Sequence, residues 1–176
     1  VRRRRARARL RARPAPASVL FVCHGNICRS PYAAAAFRRA LPPDLRDAID
    51  VRSAGFLTPE RPAPPEAVDV AAARGVDLSG HRSRFLTPDE ARRAHLVVVM
   101  EPGQAAALRY LYGRPPGRTL VLGDLDPGPI ETRAIEDPIF QPVEVFERVY
   151  DRIDRCTAAL AAAIADAAGD AGARRG

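Results

Sequence analysis

Short apolar runs are the first pattern along this chain. Residues 19–22 form one continuous run, and residues 95–100, with the sequence HLVVVM, form the strongest. Runs without polar alternation are typical of strands buried in a parallel sheet. Two weaker runs, at 49–52 and 118–122, bring the number of predicted strands to four.

Helical patterns lie between these runs and after them. The sequence TPDE at 87–90 has the form of a capped helix start. Over residues 143–168 apolar side chains recur every three or four positions, which predicts a long amphipathic helix. The other predicted helices are 31–41, 66–74 and 102–112.

Strands that alternate with helices favour one fold class. Right-handed crossovers between parallel strands place helices on both faces of a sheet. The chain has 176 residues, enough for one domain with one core. We therefore predict an α/β fold: a single three-layer domain, residues 18–168, with a four-stranded parallel sheet flanked by helices in a Rossmann/flavodoxin-like arrangement. Ligands bind such sheets at the carboxyl ends of the strands.

The charge is concentrated at the N-terminus. The formal net charge is +7, but residues 1–13 hold eight arginines and no acid, so removing those charges leaves the rest at −1. We predict that residues 1–17 are a disordered Arg-rich extension and that the domain binds no nucleic acid. A weak tether to nucleic acid or an anionic surface, or an organellar targeting segment, are alternatives for the extension. Residues 169–176 are predicted to be a flexible end.

Cysteine is rare in this chain. Three cysteines argue against a disulfide framework and predict a reducing, cytoplasmic location. No apolar run approaches the ~20 residues that a bilayer crossing needs, so no membrane partner is predicted. Cys23, His24 and Cys28 supply at most three soft ligands, whereas structural zinc sites have four. No metal is predicted.

The stretch VCHGNICRSP, residues 22–31, carries the candidate chemistry. The first strand should end at Cys23, and Ser30 and Pro31 suit the N-cap and first position of a helix. The backbone N–H groups between them should point to one anion at the positive end of the helix dipole. Gly25 permits a tight turn, and Asn26 tolerates left-handed backbone angles.

Two side chains of this loop fit displacement at phosphorus. The positive field favours the thiolate of Cys23, which is the nucleophilic form. Arg29 has a planar fork that can bind two phosphate oxygens and stabilise the charge of the transition state. The sequence therefore predicts nucleophilic catalysis on a phosphate ester.

The pattern Cys23-x5-Arg29-Ser30 resembles the signature of the low-molecular-weight protein tyrosine phosphatases of the bacterial type. The motifs VRSAGF at 51–56, HRSR at 81–84, VVVME at 97–101, LGDLDP at 122–127 and EDP at 136–138 follow in the family's order and spacing. The resemblance covers roughly residues 18–165. It implies the phosphotyrosine phosphatase I-like fold, a phosphocysteine intermediate and no cofactor.

The resemblance also implies roles for individual residues. Cys23, Arg29 and Asp137 would be catalytic, with Asp137 as the general acid and Asp126 as a structural aspartate. Ser53 and His81 would support the loop rather than react. The remaining phosphate-binding loop residues would be His24, Gly25, Asn26, Ile27, Cys28 and Ser30.

Three residues have further expected roles. The family often carries an aromatic residue after SAG and two tyrosines after Asp-Pro, where this chain has Phe56 and then Ile139 and Phe140. We predict that Phe56 and Phe140 form a substrate rim for a phenyl ring. Cys28 is either a small buried loop residue or a redox-protective partner that forms a reversible disulfide with Cys23.

The expected function is therefore that of a protein-tyrosine phosphatase, a monomer acting on a phosphotyrosine-containing protein or a small aryl phosphate and inhibited by phosphate-like oxyanions. Three alternatives stay open. An arsenate reductase of this fold would need two further cysteines, and only Cys156 remains. Protein-arginine phosphatases carry threonine where this chain has Ile27. A non-catalytic phosphate-binding protein would not require a general acid such as Asp137.

Overall fold

A four-stranded parallel sheet lies at the centre of the structure, a computed structural model that describes residues 1–129 and 131–173. The strands are β1 (Ser18–Cys23), β2 (Asp50–Gly55), β3 (Leu96–Val99) and β4 (Thr119–Val121). Their order in the sheet is β2-β1-β3-β4, and all three pairings are parallel. The order reverses between β1 and β3, so the carboxyl end of β1 lies at the position where such sheets bind ligands.

Helices cover both faces of the sheet. They are α1 (Arg2–Arg11), α2 (Arg29–Ala40), α3 (Pro43–Ala48), α4 (Pro65–Ala72), α5 (Pro88–Arg93), α6 (Pro102–Tyr112) and α7 (Val143–Ala173), with 3-10 turns at Pro116–Arg118 and Leu122–Leu125. Val19 and Phe21 belong to the core cluster that holds α2 and α7, whereas Leu20 and Val22 pack with Leu108 of α6 on the other face. The predicted three-layer fold is confirmed.

The start of α5 forms as its sequence predicts. Thr87 Oγ1 accepts a hydrogen bond from the Glu90 N–H (3.2 Å), and the Glu90 carboxylate accepts one from the Thr87 N–H (3.3 Å). This reciprocal pair satisfies two N–H groups that a helix start would otherwise leave without acceptors. It fixes the segment that follows Arg84, which contacts the candidate site described below.

The N-terminal segment differs from the predicted disordered extension, residues 1–17. Residues Arg2–Arg11 form α1. Ala6 and Leu10, four positions apart and therefore on one helix face, join the core cluster that contains α7. Arg11 pairs with Asp166, and Arg3 donates to the carbonyl oxygen of Pro127 at 2.5 Å. Because Ala6 and Leu10 lie among eight arginines, the sequence alone shows no apolar pattern here.

The C-terminal segment also differs in part from the flexible end predicted at 169–176. Helix α7 continues to Ala173, although the stretch after 168 contains Gly169 and Gly172, which have low helix propensity. Residues 174–176 lie outside the described residues. No helix in the described part of the chain has the length and apolar character that a bilayer crossing requires.

Candidate active site

The loop between β1 and α2 runs from Cys23 to Ser30 and forms the candidate site. The strand ends at Cys23, as predicted, but α2 begins at Arg29 with Cys28 as its N-cap residue. Ser30 is therefore inside the first helical turn and not the N-cap that the sequence suggested. Its hydroxyl is directed to the loop instead, and Ser30 Oγ lies 3.0 Å from Cys23 Sγ.

The Cys23 thiol is buried and surrounded by hydrogen-bond donors. The Asn26 backbone N–H donates to Cys23 Sγ at 3.2 Å. Ser30 Oγ accepts from Asn26 Nδ2 at 2.9 Å, which leaves its own proton available for the sulfur. The sulfur also lies beside the N-terminus of a 12-residue helix. Each of these features stabilises negative charge on sulfur.

Asn26 holds the loop in shape. Its φ is +52°, the left-handed region that asparagine tolerates. Its side-chain amide donates to Ser53 Oγ at 2.9 Å, and its backbone carbonyl oxygen accepts from His81 Nε2 at 2.7 Å. Its Oδ1 accepts from the Arg84 N–H at 2.8 Å. The structure thus brings Ser53 and His81 to the loop through Asn26.

Gly55 is a site residue that sequence reasoning missed as such. A Cβ atom at this position would lie 2.9 Å from both the Asn26 nitrogen and the His24 carbonyl oxygen. Backbone atoms at that distance cannot move aside without a large energetic cost, so any side chain at this position would displace the loop. The signal was present in the VRSAGF motif, but only the three-dimensional approach of β2 to the loop explains the glycine. Gly25, by contrast, does not adopt a positive φ.

Arg29 is almost completely buried, with 1% of its surface exposed. Its Nη1 donates to Glu101 Oε1 at 2.6 Å and to the Ile135 carbonyl at 2.8 Å, and its Nη2 donates to Asp137 Oδ2 at 2.5 Å. Among the described residues its Nε, also buried, has no hydrogen-bond partner. Leaving a buried donor unpaired is costly, so this atom points to an anion as the group that satisfies it.

Glu101 was not predicted as a site residue. It follows β3 at the same sheet edge as Cys23, and it orients the guanidinium through Nη1. An acidic residue directly after a buried strand was the available signal. Its side chain is 39% exposed, so it adds negative charge next to the loop without being sealed in the core.

The two Asp-Pro pairs occupy different environments. Asp137 lies at the candidate site, with Oδ1 accepting from the Ile139 N–H at 3.3 Å and a side chain that is 38% exposed. Asp126 is buried and pairs with Arg152 at 2.9 Å and Arg155 at 3.3 Å. Burial tends to raise the pKa of Asp126, but the Gly128 N–H and the two arginines outweigh burial and lower it. Asp126 is thus a structural anion.

A cavity of about 170 Å³ opens above the loop. We call it the loop cavity. It is lined by Asp137, Ile139 and Phe140 and by Leu57 and Arg61, the last two of which were not predicted as site residues. The loop contributes Cys23, His24, Gly25, Ile27, Cys28 and Arg29.

The two predicted rim residues lie in different places. Phe140 lines the loop cavity and is 93% exposed, with a φ of +62°. Phe56 lies instead against Tyr112, with 6.0 Å between ring centroids, in the core cluster on the other face of the sheet. The side chain that follows Gly55 turns to that core, and Leu57 takes its expected place at the cavity. The Phe56 part of the predicted rim is therefore wrong.

The other cysteines are buried and protonated. Burial, with a smaller effect of neighbouring Cys23, raises the pKa of the Cys28 thiol far above its usual value. Burial raises the pKa of Cys156 to about 12, and this thiol is packed in the core with no exposed surface. Over residues 1–129 and 131–173 no three Cys, His, Asp or Glu side chains are grouped closely enough to hold a metal ion.

The arrangement suits attack on a tetrahedral anion. The Cys23 thiol, which accepts the Asn26 backbone N–H, lines one cavity together with the buried guanidinium of Arg29 and the carboxylate of Asp137. An ester oxygen that points out of the cavity would face Asp137. This geometry combines a nucleophile, charge stabilisation and a proton donor in one site.

Comparisons with known proteins agree with this geometry. The family model described as low molecular weight phosphotyrosine protein phosphatase matches residues 18–168. The chain is 36% identical over 141 residues to the low molecular weight protein-tyrosine-phosphatase Etp of Escherichia coli K12. This alignment covers 80% of this chain and 89% of Etp. Vibrio vulnificus Wzb in complex with benzylphosphonate has a similar structure, with a TM-score of 0.72, 31% identity, and coverage of 82% of this chain and 97% of that one. The YwlE arginine phosphatase from Geobacillus stearothermophilus is also similar, with a TM-score of 0.72, 29% identity, and coverage of 84% and 92%.

Proposed function

The chain belongs to the low molecular weight phosphotyrosine protein phosphatases, and from this premise we propose that Cys23, Arg29 and Asp137 carry its catalysis. The activity of the family is hydrolysis of phosphotyrosine. The observation that carries the residue assignment is the loop itself. The Cys23 sulfur accepts an N–H from Asn26 beside a buried Arg29 whose Nε has no partner among the described residues.

In the first step of the proposed mechanism, the Cys23 thiolate attacks phosphorus. The S–P bond forms as the bond to the aryl oxygen breaks, and Asp137 gives its proton to that oxygen. Loop N–H groups and Arg29 hold the three equatorial oxygens, on which the transition-state charge is spread. The products are a phosphocysteine and a phenol.

In the second step a water molecule attacks phosphorus from the position that the phenol has left. Asp137, now ionised, takes a proton from this water, and the S–P bond breaks to regenerate the thiolate and release phosphate. Because released phosphate fits the same cradle, inorganic phosphate and similar oxyanions should inhibit competitively. The benzylphosphonate complex of the Vibrio relative supports this part of the proposal.

The test is hydrolysis of p-nitrophenyl phosphate by the protein, with the Cys23→Ser variant as the matched control. Arsenate with thioredoxin, and a phosphoarginine peptide, serve as competing substrates. Turnover of arsenate in preference to the aryl phosphate would favour a reductase, and preference for phosphoarginine would favour an arginine phosphatase. Cys156 is too deeply buried for a thiol relay, and Ile27 stands where the arginine phosphatases carry threonine, so we expect the aryl phosphate to be preferred.

The substrate ring should lie among the apolar lining residues of the loop cavity, which are Ile27, Leu57, Ile139 and Phe140. We expect Phe140→Ala to raise KM for phosphotyrosine about 5-fold, because an exposed aromatic contact contributes on the order of 1 kcal/mol. The inhibition constant of inorganic phosphate should not change, since phosphate has no ring. Phe56→Ala is the control: it should lower Tm and leave KM unaltered, because Phe56 packs on Tyr112. Equal KM values in the wild type and Phe140→Ala would rule out this contact.

Cys28 is proposed to protect Cys23 from oxidation. Peroxide converts the Cys23 thiolate to a sulfenic acid, and the Cys28 thiol then condenses with it to a disulfide and water. Thiol reductants should restore activity in the wild type but not in Cys28→Ser, measured after excess peroxide. Because the pKa of Cys28 is raised, its thiolate is scarce at neutral pH, and disulfide formation should become faster as pH rises. Full recovery of Cys28→Ser would contradict the protective role, and Cys156→Ser is the control.

The remaining sequence-based expectations stay proposals. The catalytic domain spans residues 18–168, and the substrate is a phosphoprotein or a small aryl phosphate. The cytoplasmic location is a prediction that the small number of cysteines supports. The monomeric state and the absence of a bound metal or cofactor also stay predictions.

A further inference from the structure

Arg61 is held at the loop cavity by its backbone. Its N–H donates to Ser83 Oγ at 3.0 Å, and its carbonyl accepts from the Ser83 N–H at 2.9 Å. Ser83 is fully buried and donates its hydroxyl to the Thr58 carbonyl at 3.1 Å. The proline-rich segment around Arg61 is therefore clamped to the stretch that also carries His81 and Arg84. This fixed backbone determines where the Arg61 side chain begins.

The Arg61 guanidinium extends over the loop between β1 and α2, which we call the catalytic loop. Its Nη1 lies 3.5 Å from the position of a Cβ built on Gly25, and the side chain lines the cavity with Cys23 and Phe140. The guanidinium thus lines the cavity that a substrate would enter.

The Arg61 guanidinium forms no ion pair within the described part of the chain. Arg29, the other arginine of the cavity, is paired with Glu101 and Asp137. The ion pairs among residues 1–129 and 131–173 leave Arg61 without a carboxylate. Arg61 is also only partly exposed, so its charge is less well solvated than that of a free surface arginine.

The walls of the cavity show which part of a substrate would meet Arg61. Ile139 and Phe140 are apolar and line the same cavity, where they can cover a phenyl ring whose phosphate is held at Arg29. A guanidinium beside that ring reaches the residues that flank the phosphotyrosine. Carboxylate and phosphate are the groups that a guanidinium fork binds best.

We propose that Arg61 is a specificity-determining residue that binds an acidic group next to the phosphotyrosine of a protein substrate. This inference rests on the proposed function, because it places the substrate phosphate on the Cys23–Ser30 loop. The acidic group is a side-chain carboxylate or the phosphate of a second phosphotyrosine. Pairing with Arg61 strengthens binding before the chemical step and raises kcat/KM for acidic sequences.

The test compares short peptides that share one phosphotyrosine. One has asparagine on both sides, two have aspartate on the N-terminal or the C-terminal side, and one has a second phosphotyrosine. For the wild type we expect kcat/KM to be about 5-fold higher for an acidic peptide than for the neutral peptide, the size of a partly exposed ion pair. The ratio should shrink as salt is raised from about 0.05 M to about 0.5 M.

Three variants identify the residue responsible. In Arg61→Gln the ratio of acidic to neutral kcat/KM should fall to about 1, and in Arg61→Lys it should be partly retained, because lysine keeps the charge but loses the fork. Arg82→Gln is the matched control, since Arg82 is an exposed arginine of the facing segment outside the loop cavity, and its ratio should equal that of the wild type. The ratio cancels any common effect of the substitution on folding or phosphate binding.

The outcomes separate this inference from the proposed function. A ratio near 1 in a wild type that hydrolyses p-nitrophenyl phosphate would overturn the role of Arg61 and leave the phosphatase intact. A ratio that persists in Arg61→Gln would also overturn it. A preference limited to the doubly phosphorylated peptide would support anion recognition and identify phosphate as its source. Absence of any aryl phosphate hydrolysis would instead refute the proposed function.

Discussion

Replacement of Cys23 by serine should reduce hydrolysis of p-nitrophenyl phosphate by about 10⁴-fold or more. The serine hydroxyl has nearly the shape of the thiol, but it is not ionised at neutral pH, and the Asn26 N–H and Ser30 hydroxyl that contact the sulfur cannot change that. The loop, Arg29 and the phosphate cradle remain. The variant should therefore lose turnover while it keeps its ability to bind phosphate.

Two measurements distinguish loss of the nucleophile from loss of the fold. Inorganic phosphate should raise the Tm of Cys23→Ser as it raises that of the wild type, because a ligand that binds only the folded state stabilises it. Cys156→Ser should retain activity, since Cys156 is a core-facing residue of α7 that does not line the loop cavity. Turnover of Cys23→Ser within 10-fold of the wild type, or full inactivity of Cys156→Ser, would assign the chemistry to another residue.

The sheet and the catalytic loop follow closely from local sequence. The apolar runs at 19–22 and 95–100 became β1 and β3, because strands buried on both faces need no polar alternation. The order of Cys23, Asn26 and Arg29 placed them on one strand-loop-helix unit, so their proximity did not depend on distant contacts. Asp137 required the family resemblance, since over a hundred residues separate it from Cys23.

Contacts between distant segments account for what the sequence did not predict. Ser30 suits an N-cap locally, but α2 begins at Arg29 and its hydroxyl turns to Cys23. Phe56 follows the expected motif, yet burial against Tyr112 outweighs exposure at the cavity. Arg61 is one arginine among many, and only its attachment to Ser83 places it at the loop. These outcomes depend on which surface each side chain meets in the folded chain.

Replacement of Asp137 by asparagine should have an effect that depends on the leaving group. The Arg29 and Ile139 N–H groups bond different oxygens of Asp137, so asparagine can accept only one of them through its single oxygen, and it cannot act as an acid. Loss of a general acid lowers rates by about 10²–10⁴-fold when the leaving oxygen needs a proton. We therefore expect kcat/KM for phosphotyrosine to fall by about 10³-fold, and that for 2,4-dinitrophenyl phosphate, whose phenolate leaves unaided, to fall by about 10-fold or less.

Asp126→Asn is the matched control, because Asp126 is the other aspartate that precedes a proline. Its side chain is 3% exposed and pairs with Arg152 and Arg155, so its loss should cost about 3 kcal/mol of unfolding free energy. The folded-state pKa of Asp126 is lowered, so its stabilisation is complete above the unfolded pKa of about 3.9 and is lost as pH falls below it. At neutral pH, Asp126→Asn should lower Tm but keep the wild-type ratio of kcat/KM between the two esters. If the ratio of kcat/KM between the two esters changed in Asp126→Asn and was preserved in Asp137→Asn, Asp126 would be the general acid and Asp137 the structural residue. Only replacement of the residue that protonates the leaving oxygen can make the rate depend on the pKa of that oxygen.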